Sequence, residues 1–293
     1  MKYILGAGIS GLICCHYLKN YKVIGLPIQS QDSQAFPLGP RFLHFSNGTK
    51  QLLNSLGLKT DTKIIKIGYY YNDSLHLTIP EKLKIEYFKK TRGNSEIFES
   101  AMSSGKNKIK VFEVSPAELH TALYATLLRK DINFLILDMV TYINSKEKIL
   151  YTANNCEYRY KKLVSTIPAP TFFNLTEQYL TAASFQSKPK HFHLIKKAMD
   201  LGEFDYVYFP EKKNPICRIT NYEDKQIIEA NKKLEASCDK IKLIKHIVLP
   251  KAQIIRKVNF EKSADVDFIG RYACWNHGIK TKEVIEDVKN LCN

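Results

Sequence analysis

Met1-Lys-Tyr-Ile-Leu5, then Gly6-Ala7-Gly8-Ile9-Ser10-Gly11, then Leu12-Ile-Cys-Cys-His-Tyr-Leu18 is the stretch that decides the fold. A short apolar strand runs into a glycine-rich turn, and the turn opens a helical pattern. In the GxGxxG fingerprint each glycine has its own task. Gly6 permits the tight turn, Gly8 lets a pyrophosphate approach the backbone, and Gly11 lets helix and strand pack closely. The helix N-terminus offers unpaired N–H groups and a positive dipole end to phosphates, which adds Ile9 and Ser10 to the candidate set. Mononucleotide or dinucleotide binding is the expectation.

The next strand, Tyr21-Lys-Val-Ile-Gly25, should end in an acid that bonds the adenosine ribose. Here it ends Leu26-Pro27-Ile28-Gln29. Gln29, or Asp32 a little further on, is the candidate substitute. The missing acid motivates a reading from another class, a cofactor-free Rossmann-like binding protein.

A chain of 293 residues, 44% of them hydrophobic, can fill about two domains or one large one. It has no run of about 18 apolar residues, so no membrane span is expected. Glycines interrupt the first apolar stretch, which argues against a signal peptide. Cysteines 14, 15, 156, 217, 238, 274 and 292 form no CxxC pair and read as reduced thiols of a cytoplasmic protein. The net charge of +15 fits a nucleic acid or a phosphate-bearing substrate, and equally a solvated lysine-rich surface. The lysines are spread along the chain, so charge alone does not choose between the two.

Pro37-Leu-Gly-Pro-Arg-Phe-Leu-His-Phe-Ser-Asn-Gly48 joins a Gly-Pro turn to an aromatic segment. It enters the amphipathic helix Thr49–Leu56, stopped by Gly57 as a C-cap glycine stops a helix. In this stretch the sequence resembles the flavin amine oxidase and UDP-galactopyranose mutase superfamily. The resemblance makes Gly39, Pro40 and Arg41 candidate flavin neighbours, with His44 a candidate for substrate or for a packed core histidine. Tyr160-Lys-Lys-Leu-Val-Ser-Thr-Ile-Pro168 resembles the strand that re-enters the cofactor domain of that superfamily. Asp267-Phe-Ile-Gly-Arg-Tyr-Ala-Cys-Trp275, with a helix starting near Thr281, resembles its final flavin motif and makes Gly270, Arg271 and Trp275 cofactor candidates. A helix N-terminus there stabilises the electron-rich edge of reduced flavin. Two such motifs at opposite ends of one chain argue for FAD rather than NAD.

Between these motifs, Ile64–Tyr71 and Leu83–Phe88 alternate apolar and charged residues and predict half-buried strands, with Tyr69 and Tyr71 on one face. Ser115-Pro-Ala-Glu118 is a capping box with proline at the first helical position, launching a helix from Leu119 to Arg129. Asn133–Leu137 reads as a strand and Asn144-Ser-Lys-Glu147 as a hairpin turn. His191 and His193 share a strand face and invite a metal, but no third ligand cluster is visible, so none is expected. Asp205–Pro210 and Ile216–Thr220 read as a two-stranded unit. Arg218, inside an apolar strand, needs an anionic or carbonyl partner if buried, either a substrate or a structural ion pair. The resemblance adds Tyr208 as a substrate candidate. Lys225 to Lys245 predicts a basic helix and its exit.

The expected architecture is α/β: a discontinuous Rossmann-like FAD-binding domain over 1–60, 110–170 and 250–293, with a β-rich substrate domain over 61–109 and 171–249. The resemblance implies an FAD-dependent oxidoreductase in which flavin N5 carries the chemistry on an amine or similar donor. A flavoenzyme acting on a nucleotide or modified nucleic-acid base, and a non-redox mutase, are the alternatives.

Overall fold

The computed structural model describes residues 1–27, 42–92, 105–222, 224–234, 242–255, 258, 260–261, 263–276 and 278–292. The chain begins with β1 (Lys2–Ala7), α1 (Ile9–Tyr17), β2 (Tyr21–Pro27), β3 (Leu43–His44), α2 (Asn47–Ser55), β4 (Thr62–Tyr71), β5 (Ser74–His76) and α3 (Glu81–Arg92). It continues through β6 (Lys108–Phe112), α4 (Pro116–Lys130), β7 (Leu135–Ile136), β8 (Val140–Asn144), β9 (Ile149–Thr152), β10 (Glu157–Arg159) and β11 (Lys162–Ser165). After α5 (Ala169–Leu175) and α6 (Tyr179–Ser184) come β12 (Ser187–Lys196), β13 (Tyr206–Tyr208), β14 (Ile216–Tyr222), β15 (Lys225–Ala230), β16 (Leu243–Ile254), β17 (Val266–Phe268) and α7 (Thr281–Cys292).

Strands β17, β11, β1, β2 and β7 pair in that order, all parallel. A parallel sheet is covered on both faces, which is why its strands are runs of apolar residues rather than alternations. Ile4, Val23 and Val164 face a core built with Leu12, Ile13, Leu119, Leu123 and Ile285, from α1, α4 and α7. Tyr3, Leu5, Ile24 and Leu163 face the opposite way, onto Phe172, Phe173, Phe185 and Trp275. The small antiparallel sheet β10-β9-β8 covers that second side through Ile143 and Leu150.

The second large sheet runs β16-β12-β15-β14-β13-β4-β6-β3, with β5 hairpinned onto β4. Its pairings are antiparallel except between β13 and β4. Strands β3 and β6 and the last residues of β16 belong to it, so its pairing crosses the expected domain limits at 60, 110 and 250.

Local expectations hold where the signal is chemical. Ser115 Oγ accepts from Glu118 N at 3.1 Å and Glu118 Oε2 accepts from Ser115 N at 2.7 Å, closing the capping box of α4. Gly57, at φ +69°, ends α2, and Leu58 N donates back to Leu53 O. Tyr69 and Tyr71 share a core face while Tyr70 packs on Phe209 behind it.

Two expectations are corrected. Leu83–Phe88 lies within helix α3, not a strand. Residues 225–245 hold no helix among the described residues; β15 and the start of β16 occupy them. No helix among the described residues is long and apolar enough to cross a membrane.

Candidate functional site

The chain leaves β1 toward β2 on one side, while β11 pairs on the other, so β1 and β11 flank a point where the strand order reverses. Ligands of open α/β sheets lie beyond the carboxyl ends of strands at such points. Gly6 turns there at φ +102°, and a Cβ on it would lie 2.7 Å from Thr166 Oγ1. Thr166 follows β11 and donates its hydroxyl to Leu5 O at 2.7 Å. A Cβ on Gly11 would stand 1.9 Å from Gly6 O, so helix α1 rests directly on the turn. Gly8 is the N-cap of α1 and contributes no capping side chain, and no acid occupies the first turn, so no carboxylate of that turn competes for its N–H groups. His120 of α4 reaches the same turn, its Nε2 lying 3.2 Å from Ala7 O.

The segment after β17 meets this turn. Gly270 has φ +99°, and a Cβ there would lie 2.7 Å from Ser10 Oγ. The two glycine motifs, separated by most of the chain, are thus in contact. Beyond Gly270 the loop is closed by Arg271 Nε donating to Ile279 O at 3.1 Å. Lys280 N then donates to Glu283 Oε2 at 2.9 Å at the start of α7. That carboxylate offsets part of the positive end of the helix. Trp275 takes a left-handed φ of +46°, and its ring is buried edge-on against Phe185, 5.3 Å between centroids. His44, on β3, sits against this end of α7: burial first, then the charge of Lys280, push its imidazole down to about 4.

A second grouping lies on the large sheet. Arg218 is register partner to both Tyr208 and Glu229, with its guanidinium 5.6 Å from the Tyr208 ring and 5.5 Å from that of Tyr206. Its Nε donates to Glu229 Oε1 at 3.0 Å, and its terminal nitrogen bonds the same oxygen. Lys190 Nζ approaches Glu229 Oε2 at 3.8 Å. Burial works against the Arg218 charge, but Glu229 and the surrounding tyrosines hold it firmly protonated. Lys90, from α3, donates to Phe209 O at 2.6 Å and Ile216 O at 2.5 Å, and burial pushes its ammonium down to about 8. Phe42 stacks on Tyr206, 6.2 Å between centroids, so the tyrosine face meets the residue that directly follows Arg41.

The sequence matches no protein-family description and no curated protein. Among solved structures, it is similar to a reduced UDP-galactopyranose mutase, at 11% identity and a TM-score of 0.68, over 99% of this chain and 93% of that one. It is similar to an oxidoreductase from Methanosarcina mazei, at 10% identity and a TM-score of 0.64, over 100% of both chains. A CLA-producing fatty acid isomerase from P. acnes gives 11% identity and a TM-score of 0.62, over 99% and 97%. At these identities the likeness is one of fold. The chain shares the fold of these three structures.

Within this fold, Gly6, Gly8, Ile9, Ser10, Gly11, Gly270 and Arg271 gather at the head of the parallel sheet, with His44 at the neighbouring end of α7. Tyr208, buried, and Arg218, partly buried, form the separate group on the large sheet. The Trp275 ring belongs to the core. Gly39, Pro40 and Arg41 lie outside the described residues, as do Gln29 and Asp32. Sequence reasoning missed His120, Lys90, Lys190 and Glu229. Glu229 alone carried a signal, as the carboxylate that Arg218 required.

Proposed function

We propose that this chain is an FAD-dependent oxidoreductase whose cofactor lies over the Gly6–Gly11 turn and extends past Gly270 toward His44. The observation that carries the reading is the contact of Gly270 with Ser10. It brings the second glycine motif against the first at a glycine whose φ of +99° L side chains rarely adopt, and with no acid in the first turn of α1 the N–H groups there suit a phosphate. Bound there, FAD would supply an N5 atom able to accept hydride from an amine or similar donor, or to act as a nucleophile in a net non-redox step.

The protein's own contributions are binding and electrostatics. Gly6, Gly8, Ile9, Ser10 and Gly11 would hold the pyrophosphate; Gly270 and Arg271, with Gly39, Pro40 and Arg41, would flank the ring system. His44, kept neutral, is suited to hydrogen bonding without adding a cation. The domain division in this reading remains 1–60, 110–170 and 250–293 for the cofactor, with 61–109 and 171–249 for the substrate. The tyrosine face of Tyr206 and Tyr208 beside Phe42 is the candidate wall of the substrate site.

One observation favours a substrate that carries an anionic group, such as a nucleotide. Lys190 and Arg218 share a single buried carboxylate, Glu229, while the charge of the nearby Lys90 opposes that of Lys190, and uncompensated buried charge is costly. Binding that weakens steeply with salt would mark a polyanionic substrate, and indifference to salt a small amine.

The deciding experiment is an absorbance spectrum of the purified protein, incubated with FAD and passed through gel filtration, recorded from about 300 to 550 nm. Flavin bands that travel with the protein support the reading. A colourless protein that does not retain added FAD rejects it, leaving a cofactor-free or nicotinamide-binding chain.

A further inference from the structure

Three of the histidines lie together on the large sheet, on the face opposite Arg218 and Glu229. His191 and His193 alternate along β12, and His246 of the edge strand β16 is the direct register partner of His193. The rings stack: His193 and His246 are 4.6 Å apart between centroids at 23°, His191 and His246 5.3 Å at 8°. His191 Nδ1 and His246 Nε2 are 3.1 Å apart, a hydrogen bond that needs one nitrogen as donor and the other as acceptor. His193 Nε2 accepts the backbone N–H of Leu234 at 3.2 Å. Among the described residues no group of three or more histidine, cysteine or acidic side chains is placed to hold a metal ion, so the cluster needs another account.

We propose that His191, His193 and His246 form a proton-sensitive latch, which holds residues 231–234 and edge strand β16 onto β12 while the imidazoles are neutral and releases them on acidification. The chemistry is that of lone pairs. A proton on His193 Nε2 turns the acceptor of the Leu234 N–H into a donor, and the bond is lost. A second proton shared into the His191–His246 contact sets two N–H groups against each other. The surroundings favour the neutral forms of His193 and His246. Burial, then His246 and His191, push His193 down to about 4, partly offset by the Ile228 backbone, and Lys233 opposes protonation as well. Burial, His191 and Lys233 lower His246 in the same direction. The register partners on β15 are Ala230 opposite His191 and Ile228 opposite His193, neither of which carries charge; on β16, Val248 faces His191.

Among the described residues β16 ends the sheet and pairs with β12 alone, so its outer edge has no strand partner there. The Leu234 N–H is committed to His193. An imidazole held near 4 in the closed form and near its ordinary 6.5 in the open form raises the open population about tenfold between pH 7.5 and 5.5.

Hydrogen exchange on the intact chain reads this directly, with rates corrected for the intrinsic effect of pH. The expected result is up to about tenfold faster exchange at residues 231–234 and 243–249 at pH 5.5 than at 7.5, with β1 and α1 unchanged. In His193→Gln, whose amide oxygen still accepts the Leu234 N–H but does not titrate, that acid response should be lost. Equal protection of the wild type at both pH values, or a full response retained in the variant, overturns the proposal. Should the variant not fold, ring titration by NMR of the wild type decides: His193 charging above about pH 6 also overturns it.

Discussion

Gly11→Ala tests the geometry on which the candidate site stands. The added Cβ would lie 1.9 Å from Gly6 O, where ordinary contact begins at 3.4 Å, so turn and helix must part by about 1.5 Å. The obstacle is backbone, which cannot rotate away as a side chain can. Parting them disturbs Ile4, Leu12 and Ile13, all fully buried in one cluster. Overpacking of this kind costs about 1–3 kcal/mol, and with no side-chain escape the upper end, about 3 kcal/mol, is expected. Gly57→Ala is the control. Its φ is +69° but nothing lies within 4 Å of its Cβ, so only the left-handed conformation is penalised, at about 1 kcal/mol. Urea unfolding of both variants at unchanged m-value measures the difference, and retained FAD per chain gives a second readout. A Gly11→Ala protein no less stable than Gly57→Ala would refute the close approach of α1 to the turn, and with it the cradle.

Glu229→Ala removes the carboxylate between Arg218 and Lys190 and leaves the buried Lys190 and the partly buried Arg218 without it, so chemical denaturation should show a loss of about 3 kcal/mol; a change under about 1 kcal/mol would mean that water reaches the pair. His44 takes up its proton only near pH 4 when folded and near 6.5 when unfolded. The unfolded chain therefore binds protons first, and stability present above pH 6.5 is lost as pH falls toward 4. His44→Gln should flatten that slope in denaturation midpoints measured from pH 7.5 to 5, and a slope identical to wild type would contradict the placement of His44.

What could be read from the sequence was local chemistry; what could not was the identity of distant partners. Ser115 and Glu118 cap each other within one turn, and Gly57 needs only its own φ, so both were legible. Leu83, Ile85 and Tyr87 alternate as a strand does, yet Leu83, Tyr87, Phe88 and Thr91 also line one face of a helix. Pro80 followed by Glu81 and ending in Lys89 and Lys90 was the helix signal that should have broken the tie. The segment from Lys225 misled for a different reason. Gln226 and Glu229 look like the polar face of a basic helix, but both are buried in β15. Gln226 Oε1 accepts from Ala198 N and Met199 N while its Nε2 donates to Met199 O. Glu229 answers Arg218 and Lys190. Polar residues with buried partners far along the chain carry no period of their own.

The candidate site repeats that division on a larger scale. Each glycine motif was legible by itself, but the contact between Gly270 and Ser10 exists only because β17, β11 and β1 are neighbours in one parallel sheet. Thr166 shows how tightly the arrangement is tied: its N–H and its hydroxyl both donate to Leu5 O, and that hydroxyl fills the space a Cβ on Gly6 would need. The strand that follows a long excursion therefore sets the shape of the first turn of the chain. A disturbance in β11, although remote from any phosphate, would reach the turn through Thr166 and alter its fit before it altered the fold.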